Sequence, residues 1–115
     1  MARNTLPIEN LGTSPLCLFV EPYGEDYWLT PEEAFTVMPD VEGIDVWFST
    51  YVSQNCIAVW IYEDGDPAKV VLDHKVVDAN GASLDCGHQK PRRPADSEPV
   101  RAERVSGRVA ARFTR

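Results

Sequence analysis

The chain has 115 residues, of which 43% are hydrophobic and 25% charged, and this composition is typical of one globular domain with a single core. No apolar run reaches the roughly 18 residues of a membrane-spanning helix, and the first residues lack the apolar centre of a signal peptide. We therefore expect a cytoplasmic protein in which Cys17, Cys56 and Cys86 are reduced thiols.

The net charge of −7 is divided unevenly along the chain. Residues 1–90 contain fifteen acidic and four basic residues, a net charge of −11, whereas residues 91–115 contain seven arginines and three acidic residues, a net charge of +4. An acidic body favours basic partners and repels nucleic acid, and a basic segment does the opposite. We expect a folded domain over residues 4–90, followed by a flexible Pro/Arg-rich tail over residues 91–115.

Short apolar segments and turns alternate through the first part of the domain. Residues 4–10 predict a strand at a sheet edge, because Pro7 has no N–H to donate. Residues 16–21 carry apolar side chains on both faces, which is typical of a central strand. A turn at residues 22–26 then leads into a short return strand at residues 27–29.

The segment Thr30–Glu33 carries conflicting signals. Its Thr, Pro and Glu residues are typical of a helix start. However, residues 34–38 have the composition of a strand, and Pro39 stops anything longer. We expect one turn followed by a strand at about residues 34–38, and then an acidic loop at residues 39–43.

Residues 44–63 predict a β-hairpin, because two arms rich in β-branched and aromatic residues flank the polar triplet Ser53-Gln54-Asn55. Strand alternation places one apolar set on the face expected to line the core: Ile44, Val46, Phe48, Ile57, Val59 and Ile61. The opposite face carries the aromatic side chains of Trp47, Tyr51, Trp60 and Tyr62. A sheet face that contacted only water would not be expected to carry so many aromatic side chains.

Beyond the hairpin, Gly-containing turns at residues 63–67 and 78–81 bound a further strand predicted at about residues 68–73, which residues 74–77 continue or follow, and a last short strand is expected at residues 82–85. The total is seven or eight short strands at roughly 8–12-residue spacing. This pattern predicts an all-β fold, a single small β-sandwich or flattened barrel of antiparallel strands.

The tail has its own pattern. Pro91, Pro94 and Pro99 lie among polar residues that have nothing to bury, which favours a linker. On a helix the following arginines would form one stripe: Arg101, Arg104, Arg108, Arg112 and Arg115. We expect either disorder or a helix that forms on a partner or on the domain.

A resemblance to a family adds to this interpretation. Residues 21–33 begin with Glu-Pro-Tyr-Gly and end with Thr-Pro-Glu-Glu, and Cys86-Gly87-His88 follows at the end of the domain. In these features the chain resembles a group of small bacterial β-domain proteins of unknown function, with a Glu-Pro-Trp-Gly motif, a Pro-Gly-Glu loop and a Cys-Gly-His segment. Tyr23 replaces the Trp, and the second loop lacks glycine. The resemblance covers about residues 4–91 and implies a compact β domain without implying any activity.

Cys86, His88 and His74 are candidate zinc ligands, because thiolate and imidazole are preferred zinc donors. No Cys-x-x-Cys pair accompanies them, and a sharp bend at Gly87 explains the segment without a metal. A catalytic Cys–His pair is disfavoured, since an acidic body does not favour a thiolate. The common catalytic motifs are also missing from the sequence, which removes the usual routes to an enzymatic activity and favours a non-enzymatic role without excluding an unfamiliar enzyme.

The leading hypothesis is a non-enzymatic domain that binds a basic protein through an acidic and aromatic surface, as an inhibitor or immunity-like partner does. The candidate partner-binding residues are Tyr23, Glu25, Asp26, Tyr27, Trp28, Glu32, Glu33, Trp47 and Trp60. Two alternatives stay open. One is a small-molecule or metal-binding β domain centred on Cys86, His88 and His74, and the other is binding of the tail to nucleic acid or anionic membrane.

Overall fold

A computed structural model describes residues 4–91, which form seven β-strands and no helix. The strands are β1 (Leu6–Glu9), β2 (Leu16–Val20), β3 (Glu25–Leu29), β4 (Ala34–Pro39), β5 (Val46–Ser53), β6 (Cys56–Glu63) and β7 (His74–Val77). They make a three-stranded sheet in the order β1-β4-β7 and a four-stranded sheet in the order β3-β2-β6-β5. The predicted all-β, sandwich-like fold is confirmed. The part of the chain described here has no helix that could cross a membrane.

The core lies between the two sheets and is built from alternate residues of their strands. The three-stranded sheet contributes Phe35, the largest fully buried side chain. The four-stranded sheet contributes buried aliphatic side chains from three strands: Leu18, Val20, Leu29, Val59 and Ile61. The aliphatic face predicted for the hairpin therefore does line the core, with Val46 buried and Ile44, Phe48 and Ile57 packed against it.

One strand pairing corrects the expectation of a purely antiparallel fold. β2 and β6 run parallel, with Cys17 opposite Cys56 and Val20 opposite Val59. Antiparallel neighbours can be joined by a tight turn, whereas parallel neighbours need a crossover. Here the chain passes through β3, β4 and β5 before β6 returns beside β2. The turn residues between consecutive strands therefore do not indicate that β2 and β6 run parallel.

Two predicted strands are not strands in the structure. Residues 68–73 make one isolated bridge, between Val70 and Tyr62, and residues 82–85 make one, between Ser83 and Val77. The return strand also begins earlier than predicted, at Glu25. Each of these short segments adds two backbone hydrogen bonds beside a longer strand, and the turns on either side leave no room for an extended ladder.

The turn at residues 30–33 is confirmed, and β4 follows it as expected. The Thr30 N–H donates to the Glu33 carboxylate at 2.8 Å, which is the contact of a helix capping box. No helix develops because the backbone of this segment pairs elsewhere. Asn10 N–H donates to Glu33 O at 2.9 Å, and Glu32 N–H donates to Asn10 O at 2.8 Å.

The sheet edges determine which surfaces are open. β1 is an edge strand, as Pro7 predicted. The edge of β3 is covered by the segment that follows β7, since Gly87 N–H donates to Asp26 O at 2.6 Å and Trp28 N–H donates to His88 O at 2.9 Å. β5 forms the other edge of the four-stranded sheet. Residues 92–115 of the predicted tail, with its arginine stripe, lie outside the described residues.

Candidate functional site

The four-stranded sheet has one face towards the core and one face away from it, which we name the outer face. Residues opposite one another in a ladder share a face. The registers therefore place on the outer face six aromatic residues from four strands: Phe19, Trp28, Trp47, Tyr51, Trp60 and Tyr62. Sequence alternation predicted the four from the hairpin, and the register adds Phe19 and Trp28.

The aromatic side chains of the outer face are open to solvent to different degrees. Trp47 is 68% exposed and Tyr51 is 59% exposed, and the other four are half-buried. Trp60 and Tyr62 stack with ring centroids 6.1 Å apart and planes at 8°. Exposed aromatic side chains that share one face of a sheet are candidates for contact with a partner.

Two of the tryptophans of the outer face, Trp47 and Trp28, are held in place by local contacts. A Cβ atom built on Gly65 would lie 3.1 Å from the Trp47 ring, so the indole packs directly on the Gly65 backbone. The Trp28 indole N–H donates to Asp26 Oδ2 at 2.9 Å. These contacts restrict both side chains, so any contact made with them would cost little further side-chain entropy.

The strands of the four-stranded sheet carry charge of one sign, and Asp26 is the charged side chain that the registers place on the outer face, whereas Lys90 contributes a positive charge near Cys17 of that face. The four strands of this sheet contain Glu25, Asp26 and Glu63 but no lysine or arginine. Residues 4–91 as a whole contain fifteen acidic residues against three lysines, a net charge of −12. Aromatic rings attract cations through their π faces, and the surrounding carboxylates add a negative potential. The outer face is therefore suited to a cationic partner.

The structure separates the predicted partner-binding residues into two groups. Asp26, Trp28, Trp47 and Trp60 share the outer face. The remaining five lie elsewhere: Tyr23 in the exposed turn before β3, Glu25 and Tyr27 on the core side of β3, and Glu32 and Glu33 in the turn before β4.

Glu33 is engaged in the turn and not free to bind a partner. Gln89 Nε2 donates to Glu33 Oε1 at 2.8 Å, and the Thr30 N–H donates to the same oxygen at 2.8 Å. Burial would raise the pKa of Glu33, but these two hydrogen bonds outweigh it and hold the pKa below its usual value. Glu33 therefore links the turn to the segment that follows β7.

A polar cluster between the sheets was missed by sequence reasoning. Glu25 Oε1 lies 3.0 Å from His74 Nε2 and accepts a hydrogen bond from the Tyr27 hydroxyl at 3.1 Å. The His74 side chain is 4% exposed, and its Nδ1 has no hydrogen-bond partner in residues 4–91. Burial, followed by the Glu25 charge, raises the pKa of Tyr27, so the hydroxyl stays protonated and donates. Glu25 and His74 belong to different sheets, and no sequence periodicity links them.

The three candidate zinc ligands have different neighbours. His74 contacts Glu25, the Cys86 thiol donates to Asp26 Oδ1 at 3.5 Å, and the His88 ring packs edge-on against Phe35 at 5.6 Å. Burial raises the pKa of the Cys86 thiol, with the adjacent Asp26 charge adding to the rise. Over residues 4–91 no three His, Cys, Asp or Glu side chains are grouped as metal ligands. Zinc binding stays a prediction.

Comparison of the chain with protein-family models, with curated proteins and with solved structures finds no match.

Proposed function

We propose that this chain is a non-enzymatic protein-binding domain whose outer face binds a basic segment of another protein. One observation carries the proposal: six aromatic side chains share the outer face of a sheet whose strands contain acidic residues and no basic ones. By covering a basic surface, such a domain would act as an inhibitor or immunity-like partner.

The chemistry of the outer face favours arginine and lysine side chains. A cation over a Trp or Tyr ring is stabilised by about 0.5–2 kcal/mol, and more when the pair is shielded from water. Asp26 lies in the same face and keeps acceptor capacity beyond its bonds to Trp28 and Cys86. Arginine would stack on a ring and donate to this carboxylate at once, which a neutral partner cannot do.

Trp47 and Trp60 are the expected anchors of the interface. Tryptophan is enriched among the residues that dominate binding energy, and truncating such an anchor typically costs about 2 kcal/mol or more. Trp47 is the most exposed of the six rings and is held on Gly65, and Trp60 lies nearer the centre of the sheet on β6.

The test is affinity capture with the full chain as bait, followed by calorimetric titration of the purified captured protein. The Trp47→Ala/Trp60→Ala double variant should weaken binding by at least about 100-fold. Leu72→Ala is the matched control, because Leu72 is 49% exposed but lies outside the strands of the outer face, and it should leave affinity unchanged.

The charge requirement is tested with the same partner. Affinity should fall steeply as salt is added, because attraction between opposite charges is screened. A captured partner that is acidic, or one whose affinity is the same for the double variant and the wild type, would overturn the proposal.

A further inference from the structure

The edges of the two sheets differ in how they are protected from pairing with another strand. β1 is four residues long and contains Pro7 and Glu9. β7 has Leu84 N–H donating to Val76 O at 2.8 Å, and β3 is covered by the segment at residues 86–88. These are the usual devices that block edge-to-edge association.

Beyond Val46, where Asn4 covers the edge, β5 has none of these devices. It is eight residues long and contains no charged residue and no proline. In the described part of the chain, β6 is its one strand neighbour. Val52, near its end, is 74% exposed. An uncharged, exposed edge strand of this length is a template for strand addition.

The hydrogen bonds of β5 show which backbone groups are available. Val46 N–H donates to Asn4 Oδ1 at 3.1 Å, so Val46 directs its backbone groups away from β6. Alternate residues of an antiparallel strand direct these groups to the same side. Phe48, Thr50 and Val52 therefore direct theirs to the open edge, where no described residue bonds to them.

The available stretch has a defined centre. Asn4 covers the edge at Val46, and the hairpin turn follows Ser53, so residues 47–53 stay open and Thr50 lies in the middle. We propose that β5 pairs antiparallel with β5 of a second copy of this chain, with Thr50 opposite Thr50 of that copy.

Side-chain chemistry supports this register. With Thr50 at the centre, Phe48 lies opposite Val52 of the second copy, and the same pair recurs on the other side of the two-fold axis. Aromatic–β-branched pairs and Thr–Thr pairs are both favourable across neighbouring strands. The strand is thus complementary to itself, as a two-fold interface requires.

Charge supports the antiparallel direction. Each copy is acidic, and Asp45, Glu63 and Asp64 lie at the start of β5 and the end of β6. The other end of the hairpin is the uncharged turn Gln54-Asn55. Antiparallel pairing places the acidic end of one copy beside the uncharged turn of the other, whereas parallel pairing would bring two acidic ends together.

The pairing joins the two four-stranded sheets into one of eight strands. The outer faces of the two copies then form one continuous aromatic surface, which doubles the area offered to a basic partner. The pairing itself uses the β5 edge and does not depend on the proposed function.

Sedimentation equilibrium of the full chain over a range of concentrations tests the proposal. The wild type should be a dimer in reversible exchange with monomer. Thr50→Pro removes an outward N–H without removing a bond to β6, and Val52→Lys places a charge on the edge, so each should raise the dimer dissociation constant at least tenfold. Leu72→Lys, at an exposed apolar site outside β5, should leave it unchanged.

Amide hydrogen exchange gives a second readout with an internal control. The amides of Thr50 and Val52 should be protected at high concentration and exchange freely on dilution. Those of Ser49 and Tyr51 bond to β6 and should be protected at both concentrations. Circular dichroism of each variant confirms that the domain remains folded.

A wild type that stays monomeric at high concentration, or a dimer unaffected by both β5 variants, would overturn the pairing. These experiments contain no binding partner, so their failure is distinct from failure of the proposed function, which is judged by the tryptophan variants.

Discussion

The two faces of the four-stranded sheet are made by alternate residues of the same strands, yet they differ in chemistry and exposure. On the inner face Leu18, Val59 and Ile61 are 0% exposed, whereas on the outer face Trp47 is 68% and Tyr51 is 59% exposed. The three-stranded sheet covers one face, and in residues 4–91 no strand covers the other. The inner face therefore contributes mainly to stability, and the outer face is open to solvent at Trp47 and Tyr51 although Cys17 on the same face is buried.

The largest expected effect is on the free energy of unfolding, and it distinguishes the inner face from the outer face. Leu18→Ala on the inner face should lower the free energy of unfolding by about 2–5 kcal/mol, because it leaves a cavity in a packed core. Trp47→Ala on the outer face should lower it by less than about 1 kcal/mol, because most of the side chain is already in water. Urea denaturation measures both, and similar losses for the two variants would contradict the division.

The polar cluster between the sheets is an exception to the apolar inner side. Glu25→Ala removes the acceptor for the Tyr27 hydroxyl and the partner of His74 Nε2. Leaving buried polar groups unpaired should lower the free energy of unfolding by about 1–3 kcal/mol. Glu32→Ala, an exposed acidic residue, is the control and should change little. If Glu25→Ala and Glu32→Ala lower the free energy of unfolding equally in urea denaturation, the cluster does not stabilise the fold.

Alanine substitution at two glycines tests whether Gly65 positions the Trp47 side chain on the outer face. Gly65 has φ +74° and packs on the Trp47 ring, whereas Gly81 has φ +85° and nothing within 4 Å of an added Cβ. Alanine at either position should cost about 1–2 kcal/mol from backbone strain. Gly65→Ala should cost more and should also change tryptophan fluorescence, because the indole must move. Unchanged fluorescence would mean that Gly65 does not position Trp47.

The smallest effect concerns pH at the turn before β4. The pKa of Glu33 in the folded protein is below its value of 4.5 in an unfolded chain, so the folded state binds fewer protons there. The contribution of ionised Glu33 to the free energy of unfolding is complete above pH 4.5 and is lost as the pH falls through the folded-state pKa. The unfolding free energy of the Glu33→Gln variant should therefore fall less on acidification than that of the wild type. The difference should be well under about 1 kcal/mol, since the side chain is only partly buried.

Glu32→Gln is the control for this titration, because Glu32 lies in the same turn. Thermal unfolding followed from about pH 6 to about pH 3 compares the two variants with the wild type. If the stability of the Glu33→Gln variant falls with pH as steeply as that of the wild type, the assignment of this titration to Glu33 is wrong.

Several of these features could be predicted from the sequence. The alternation through residues 44–63 separates Val59 and Ile61 from Trp60 and Tyr62, and the structure confirms that separation. Pro7 predicts an edge strand, and β1 is one. Each of these predictions depends on neighbours within a few residues, where the two-residue period of a strand or the geometry of proline acts directly.

Contacts between distant segments were decided by the tertiary structure alone. They include the parallel pairing of β2 with β6, the meeting of Glu25 with His74, and the cover that residues 86–88 provide for β3. The sequence determined which side chains share a face of a strand, because that follows from local backbone geometry. Which face becomes core and which edge stays open depends on how the two sheets pack, and that packing is set by the sum of many weak, non-local contacts.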